Sequence, residues 1–281
     1  MDAVREQDGL PVMLKRLFPE EGPYELEINQ LFSSPELADD PHNHCARLLG
    51  VIELQDHESP KIMVFSLLRP FNRPRFQTFG EFVAFFTQIC KVTHDPLLFL
   101  RAIIQGWSHR ASNSCISITW PIGTNRPLYC NNSSLTGFLR DCTANNVMLE
   151  PSGMYPNGFH PVKINRNRDF KGKATGYTRT LRPPRYYLID FGLSRRYPTR
   201  DVTDIPLRGG DKTAPEHQSQ GRSNPFHTDV YYIGNLIRVE FMRVRSQPDK
   251  PTYGFDLIST SLPSEILRFP VHGGVDWCND Q

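Results

Sequence analysis

The chain has 281 residues, of which 38% are hydrophobic, 11% aromatic and 22% charged, a content that supports one substantial core or a core divided between two lobes and excludes wholesale disorder. The net charge of +2 points to no particular partner, and the longest apolar stretch, Pro96 to Ile104, is too short to cross a membrane. The six cysteines (Cys45, Cys90, Cys115, Cys130, Cys142 and Cys278) contain no CxxC pair and no zinc-ligand spacing, so a zinc module is set aside.

The start, Met1-Asp2-Ala3-Val4-Arg5-Glu6, has no apolar signal core, and scattered cysteines read as reduced thiols. The expectation is an intracellular protein, of cytoplasm or nucleus, without a signal peptide or membrane segment. Val12-Met13-Leu14-Lys15-Arg16-Leu17 predicts a short strand. Gly22-Pro23 opens a helix, since proline suits a first helical turn, with Tyr24, Ile28, Leu31 and Phe32 as its apolar stripe. Cys45 to Leu54 and Lys61 to Leu68 predict two strands joined by a polar loop. Arg69 to Gln77 is a proline-broken connector. Thr78-x-x-Glu81 is a capping box for a helix from Phe79 to about Lys91, whose buried face is Phe82, Phe85, Phe86 and Ile89.

Residues 92–139 show little periodicity beyond a possible helix from Asp95-Pro96 through Ile104. Val147-Met148-Leu149 and Tyr186-Tyr187-Leu188-Ile189 read as paired strands, separated by a long polar insertion. Within it, Lys163 to Arg185 holds eight Lys or Arg residues against one acid, Asp169, with Phe170 and Tyr177 interleaved. Such a stretch suits nucleic acid or an acidic peptide, and the simpler reading is a solvated loop, so nucleic acid is the disfavoured partner. Asp229 to Met242 predicts a helix, and the tail from Arg243 to Gln281 contains one short helical candidate, Ser264 to Phe269.

The chemistry concentrates around three polar residues. Asp190 and Asn146 stand at or just beyond the ends of apolar strands, where they offer the hard oxygen donors that magnesium prefers. Asp141 lies five residues before Asn146, so one loop can hold a base and a metal ligand around a single phosphate. Arg140-Asp141-Cys142-Thr143-Ala144-Asn145-Asn146 resembles the catalytic loop of protein kinases, and Asp190-Phe191-Gly192 resembles their D-F-G segment. Ala214-Pro215-Glu216 matches A-P-E, and Asp229-Val230-Tyr231-Tyr232-Ile233-Gly234 is similar to the buried helix that follows it. Val12-Met13-Leu14-Lys15 resembles V-A-I-K, and Glu27-Ile28-x-x-Leu31 resembles the helix that supplies the lysine's partner. The wording is most similar to divergent fungal kinase-like proteins.

This resemblance implies an α+β, two-lobe kinase-like fold: a β-rich partial small lobe (1–68), a mainly helical, incomplete large-lobe core (69–242) with insertions at 92–139 and 151–185, and an atypical tail (243–281). It implies ATP and magnesium as ligands and phosphoryl transfer to Ser or Thr hydroxyls of an unidentified protein. Lys15 would hold the α- and β-phosphates with Glu27 orienting it, Asp141 would accept the hydroxyl proton, and Asn146 and Asp190 would bind magnesium. Phe65-Ser66-Leu67 would form the hinge beside adenine, and Thr199, Thr203 and Thr213 are candidate phosphorylation sites for pairing with Arg140. The chain departs from the family in having no glycine-rich loop before Lys15, Leu139 where the family has His, and Thr143 where many members have Lys. These departures imply the alternative of a pseudokinase or binding scaffold with weak or absent catalysis.

Overall fold

In the computed structural model, the strand expected around Val12 is the second of a four-stranded antiparallel sheet. The structure describes residues 1–92 and 141–242, apart from position 42, positions 54–59 and positions 196, 198, 200, 207, 208, 210 and 218–220. The sheet comprises β1 (Asp2–Val4), β2 (Pro11–Arg16), β3 (Leu48–Ile52) and β4 (Ile62–Ser66), in the order β1-β2-β4-β3. β1 is absent from the sequence expectation, because three residues ending in a charge cluster carry too little alternation to register as a strand. It forms because the intervening turn closes tightly. Gly9 adopts φ +67°, its N–H reaches Arg5 O at 2.8 Å, and Asp8 Oδ1 accepts from Leu10 N at 3.1 Å.

A second sheet joins β5 (Arg69–Pro70), β6 (Val147–Leu149) and β7 (Tyr186–Leu188), all antiparallel, with Val147 opposite Leu188 and Leu149 opposite Tyr186. The pairing of β6 and β7 agrees with the sequence expectation. β5 opens the proline-broken connector expected from Arg69 to Gln77, with Arg69 and Pro70 paired to Leu149 and Met148. The segment before β3 stitches the two sheets together: Leu188 N donates to His44 O at 2.6 Å and Ala46 N donates to Leu188 O at 2.9 Å.

Four α-helices are present among the described residues: α1 (Glu25–Phe32), α2 (Pro35–Ala38), α3 (Phe79–Val92) and α4 (Pro225–Ile237). The capping box at the start of α3 forms with one change. Thr78 Oγ1 accepts from Glu81 N at 3.1 Å, but the Glu81 carboxylate accepts from Gln77 N at 2.7 Å and, through its other oxygen, from Thr180 N and Oγ1. The cap therefore also fastens the insertion to the helix. Phe85, Phe86 and Ile89 are buried as the periodicity predicts, and Phe85 stacks on Phe71 at 5.0 Å between centroids. Helix α4 begins earlier than Asp229, because Asn224 caps it through Phe226 N at 2.9 Å and Pro225 suits the first turn. It continues as a π-helical turn, Arg238–Met242, that brings Phe241 against Phe76, Phe82 and Phe85.

The insertion at 151–185 contributes to the core, and within the basic stretch Lys163 to Arg185, expected as a solvated loop, Arg179 is buried. Met154, Tyr155 and Phe159 join the core. Two of the arginines that looked like solvated charge or connector are buried instead. Arg179 donates to Tyr186 Oη at 2.8 Å, to Phe71 O at 2.7 Å and to Pro74 O, with its guanidinium 4.1 Å from the centroid of Phe76. Arg69 lies over Tyr155 and Phe159 and donates to Arg73 O and Ile164 O. Planar guanidinium groups tolerate burial because ring faces and carbonyl oxygens can surround them on all sides. The helical candidates at 95–104 and 264–269, Leu139, Arg140 and the tail from 243 lie outside the described residues.

Burial raises the Tyr186 phenol to about 12, although Arg179 pulls the other way. A raised folded value means that its contribution to stability is complete below the ordinary tyrosine range, about 10, and is lost as pH climbs through about 12. Urea unfolding between pH 9 and 12, on the order of that window, is expected to show declining stability. Tyr186→Phe should flatten this decline while lowering stability at neutral pH by about 1 kcal/mol through the lost Arg179 acceptor. An unchanged alkaline slope in that variant would rule out Tyr186 as its source.

Candidate functional site

Strand β2 ends by projecting Lys15 toward the first turn of α1. Lys15 Nζ makes an ion pair with Glu25 and a second with Asp190 Oδ1 at 2.8 Å, joining residues 175 positions apart in the chain. Burial lowers the lysine's affinity for its proton, but the hydrogen bonds it donates to Asp190 and Glu25 outweigh this and leave it above the ordinary lysine value. Burial acts the other way on Glu25, whose carboxyl is pushed up against the pull of Lys15.

The partner of Lys15 is Glu25, which corrects the expectation of Glu27. The buried face of α1 is Glu25, Ile28, Asn29 and Phe32, the i, i+3, i+4, i+7 pattern of one helix face, whereas Glu27 lies on the exposed side. A signal for this existed in the sequence: Glu25 shares the phase of Ile28 and Phe32, and Glu27 does not. The loop entering α1 reaches the site through a close backbone approach. A Cβ at Gly22 would lie 2.9 Å from Gly192 Cα, so any side chain there would push the helix from the Asp190-Phe191-Gly192 turn. Phe191 is buried and sits 6.0 Å from Phe32, clamping the same helix from below.

Asp141 and Asn146 form the neighbouring part of the site. Asn146 Nδ2 donates to Asp141 O at 2.9 Å and to Asp141 Oδ2 at 2.8 Å. Thr143 N donates to Asp141 O at 2.7 Å, and Ile189 N donates to Asn146 O at 3.0 Å. The last bond carries the β6–β7 pairing one step further and so sets the loop beside Asp190. Asp141 and Asp190 both have left-handed backbones, φ 71° and 64°, a conformation that aspartate tolerates better than most residues but that must be held by its surroundings. Asp141 also shares a cavity of about 20 Å³ with Ser223, Thr228, Asp229 and Tyr232, room for one water molecule. Asp229 is buried there on α4.

Gly209 comes close to this region. A Cβ at Gly209 would fall 2.6 Å from Asp141 Cγ, so backbone of the chain itself stands against the carboxylate. The Ala214-Pro215-Glu216 turn is anchored to α4: Asp211 accepts from Thr213 N at 2.9 Å and from Asn235, and His217 Nε2 meets Tyr232 Oη at 2.7 Å. Burial raises the Asp211 carboxyl, and the bonds from Thr213 and Asn235 more than reverse this, so it lies below the ordinary aspartate value. Of the hinge candidates, Phe65 is half-buried on β4, while Leu67 packs into the core and gives its N–H to Pro11 O at 3.2 Å. Cys45 and Cys142 are buried free thiols pushed well above the ordinary range, which makes them packing residues. Among the described residues no group of three or more His, Cys, Asp or Glu is placed to hold a metal ion, and no helix is long and apolar enough to cross a membrane.

No protein-family profile matches the chain, and no curated protein matches it.

The Lys15–Glu25 pair should contribute less than a fully enclosed ion pair, because the Lys15 side chain is 34% exposed. Lys15→Met is expected to cost about 1–2 kcal/mol in chemical denaturation by leaving the buried Glu25 without a counter-charge. Adding Glu25→Gln should recover part of that loss, and Glu27→Gln alone should change stability by under about 0.5 kcal/mol. A Glu27 variant as costly as the Glu25 variant would show that the pairing is assigned to the wrong residue.

Proposed function

We propose that this chain is a protein-kinase-like domain with a small β-rich lobe and a larger lobe around the second sheet and α4, and that it uses ATP to phosphorylate Ser or Thr hydroxyls of a protein. The observation that carries the reading is the convergence of Lys15, Glu25 and Asp190 beside the Asp141–Asn146 pair. Such a set supplies a cation for phosphates, two hard-oxygen donors and a separate carboxylate, which is what phosphoryl transfer asks of a protein.

Asp190 and Asn146 fit magnesium by the chemistry of their donors, with phosphate and water completing the shell. Bound there, magnesium would neutralise charge on the phosphates. Lys15 would hold the α- and β-phosphates, and Glu25 would fix the direction of the lysine. Asp141 would take the proton of the attacking hydroxyl as its oxygen bonds to the γ-phosphorus and the bond to the ADP oxygen breaks. Asn146, bonded to both the carbonyl and the carboxylate of Asp141, would hold that carboxylate in one orientation.

A second reading, a scaffold with weak or no catalysis, is favoured by one observation. The backbone at Gly209 stands where a substrate hydroxyl would have to approach Asp141. Calorimetry of the full chain with ATP at millimolar concentration separates the readings. Saturable, magnesium-dependent binding is expected, weakened at least about tenfold in Asp190→Asn. Asp141→Asn should retain that binding while losing on the order of 10²–10⁴-fold in transfer to a protein substrate. Binding without transfer in the unaltered chain supports the scaffold, and absence of binding removes both the nucleotide site and the enzyme.

A further inference from the structure

The basic insertion contains a built hairpin whose role the proposed phosphoryl-transfer site does not absorb. Arg166 and Lys173 face each other across an antiparallel bridge. Between them the turn is fixed from several directions. Asn167 N donates to Gly172 O at 3.2 Å, Phe170 N to Asn167 O at 3.0 Å, and Asp169 Oδ1 accepts from Lys171 N at 2.9 Å. Asn167 Nδ2 also donates to Lys171 O at 3.2 Å. The result is a rigid display of four exposed cations, Arg166, Arg168, Lys171 and Lys173.

Phe170 stands at the tip with φ 66°, a backbone conformation unfavourable for an aromatic residue, and remains 51% exposed. Its ring is held edge-on by His160 at 4.8 Å, and the stem of Arg168 lies along Gly158, where a Cβ would come within 3.0 Å of Arg168 Cδ. An exposed ring kept in a strained backbone, in a turn that carries four exposed cations and the exposed Asp169, is costly as packing and useful as a contact.

We infer that the hairpin from Arg166 to Lys173 is a docking surface for an acidic protein segment that carries an apolar or aromatic residue among its carboxylates. Charge complementarity selects the acids, and Phe170 selects the apolar residue between them. Nucleic acid is the weaker match. A single strand needs a cationic groove along which the phosphates run, whereas these charges crown the tip of one hairpin, and the chain as a whole has a net charge of only +2 and an isoelectric point near 8.2. The surface shares no residue with the Lys15, Asp141 and Asp190 site, so it stands whether or not the chain transfers phosphate.

The test is fluorescence anisotropy of the full chain with a labelled peptide in which one Phe is flanked on both sides by three glutamates, beside its glutamine counterpart and an oligo-dT strand of equal charge. The acidic peptide should bind, more weakly as salt rises, and the glutamine peptide should not. Replacing Arg166, Arg168, Lys171 and Lys173 with Gln should weaken binding at least about tenfold without moving the melting temperature. Phe170→Gly, which relieves the left-handed backbone and so preserves folding, should weaken it about fivefold. Undiminished binding in the fourfold variant, tighter binding of oligo-dT than of the acidic peptide, or no binding of the acidic peptide would each overturn the proposal.

Discussion

The ammonium group of Lys15 links three parts of the chain by charge. It sits near the end of β2, yet it neutralises a buried glutamate from the first helix and an aspartate from the turn after β7. Without that cation, Glu25 would be a carboxylate taken out of water with nothing to compensate it, and Asp190 would face it at close range as a like charge. One lysine serves both acids and so offsets the cost of their convergence. The glycines at 22 and 192 let the helix and turn come close enough for this, and Phe191 beneath Phe32 keeps them there.

The same economy governs the rest of the core. Burying a guanidinium is expensive, but Arg179 and Arg69 are enclosed by ring faces and carbonyl oxygens of several separate segments. They act as many-toothed links that tie the insertion to the connector after β4, to β7 and to the region around α3. Glu81 adds a further link by capping α3 and receiving Thr180 at once. The long polar insertion is thus ordered by the buried Arg179 together with the apolar Met154, Tyr155 and Phe159. That order is what turns its remaining charges into a fixed array rather than a fluctuating one.

Much of this was legible in the sequence wherever a local period or cap decided the outcome. The helix from Phe79, the paired strands at Val147 and Tyr186, and the burial of Phe85 and Ile89 follow from the repeat of apolar residues and from Thr78 and Glu81. Asp141, Asn146 and Asp190 were legible as a group because their order along the chain and their apolar flanks suggest one site. The short strands β1 and β5 were not, since two or three residues carry no period and pair only because a turn or a partner strand presents itself. Nor was the burial of Arg179 legible, because composition alone makes every arginine in a basic stretch look solvated.

The sequence by itself determined the element types, the apolar faces and the polar residues from which a site can be built. Only the tertiary structure decided which charges meet. Glu25 and Glu27 are two positions apart and chemically identical, and the choice between them rests on helix phase relative to the sheet, which places Glu25 toward Lys15 and Glu27 toward solvent. The approach of Gly209 to Asp141 likewise has no local cause. Electrostatic pairing depends on distance and enclosure, and these exist only once segments far apart in the chain have packed together.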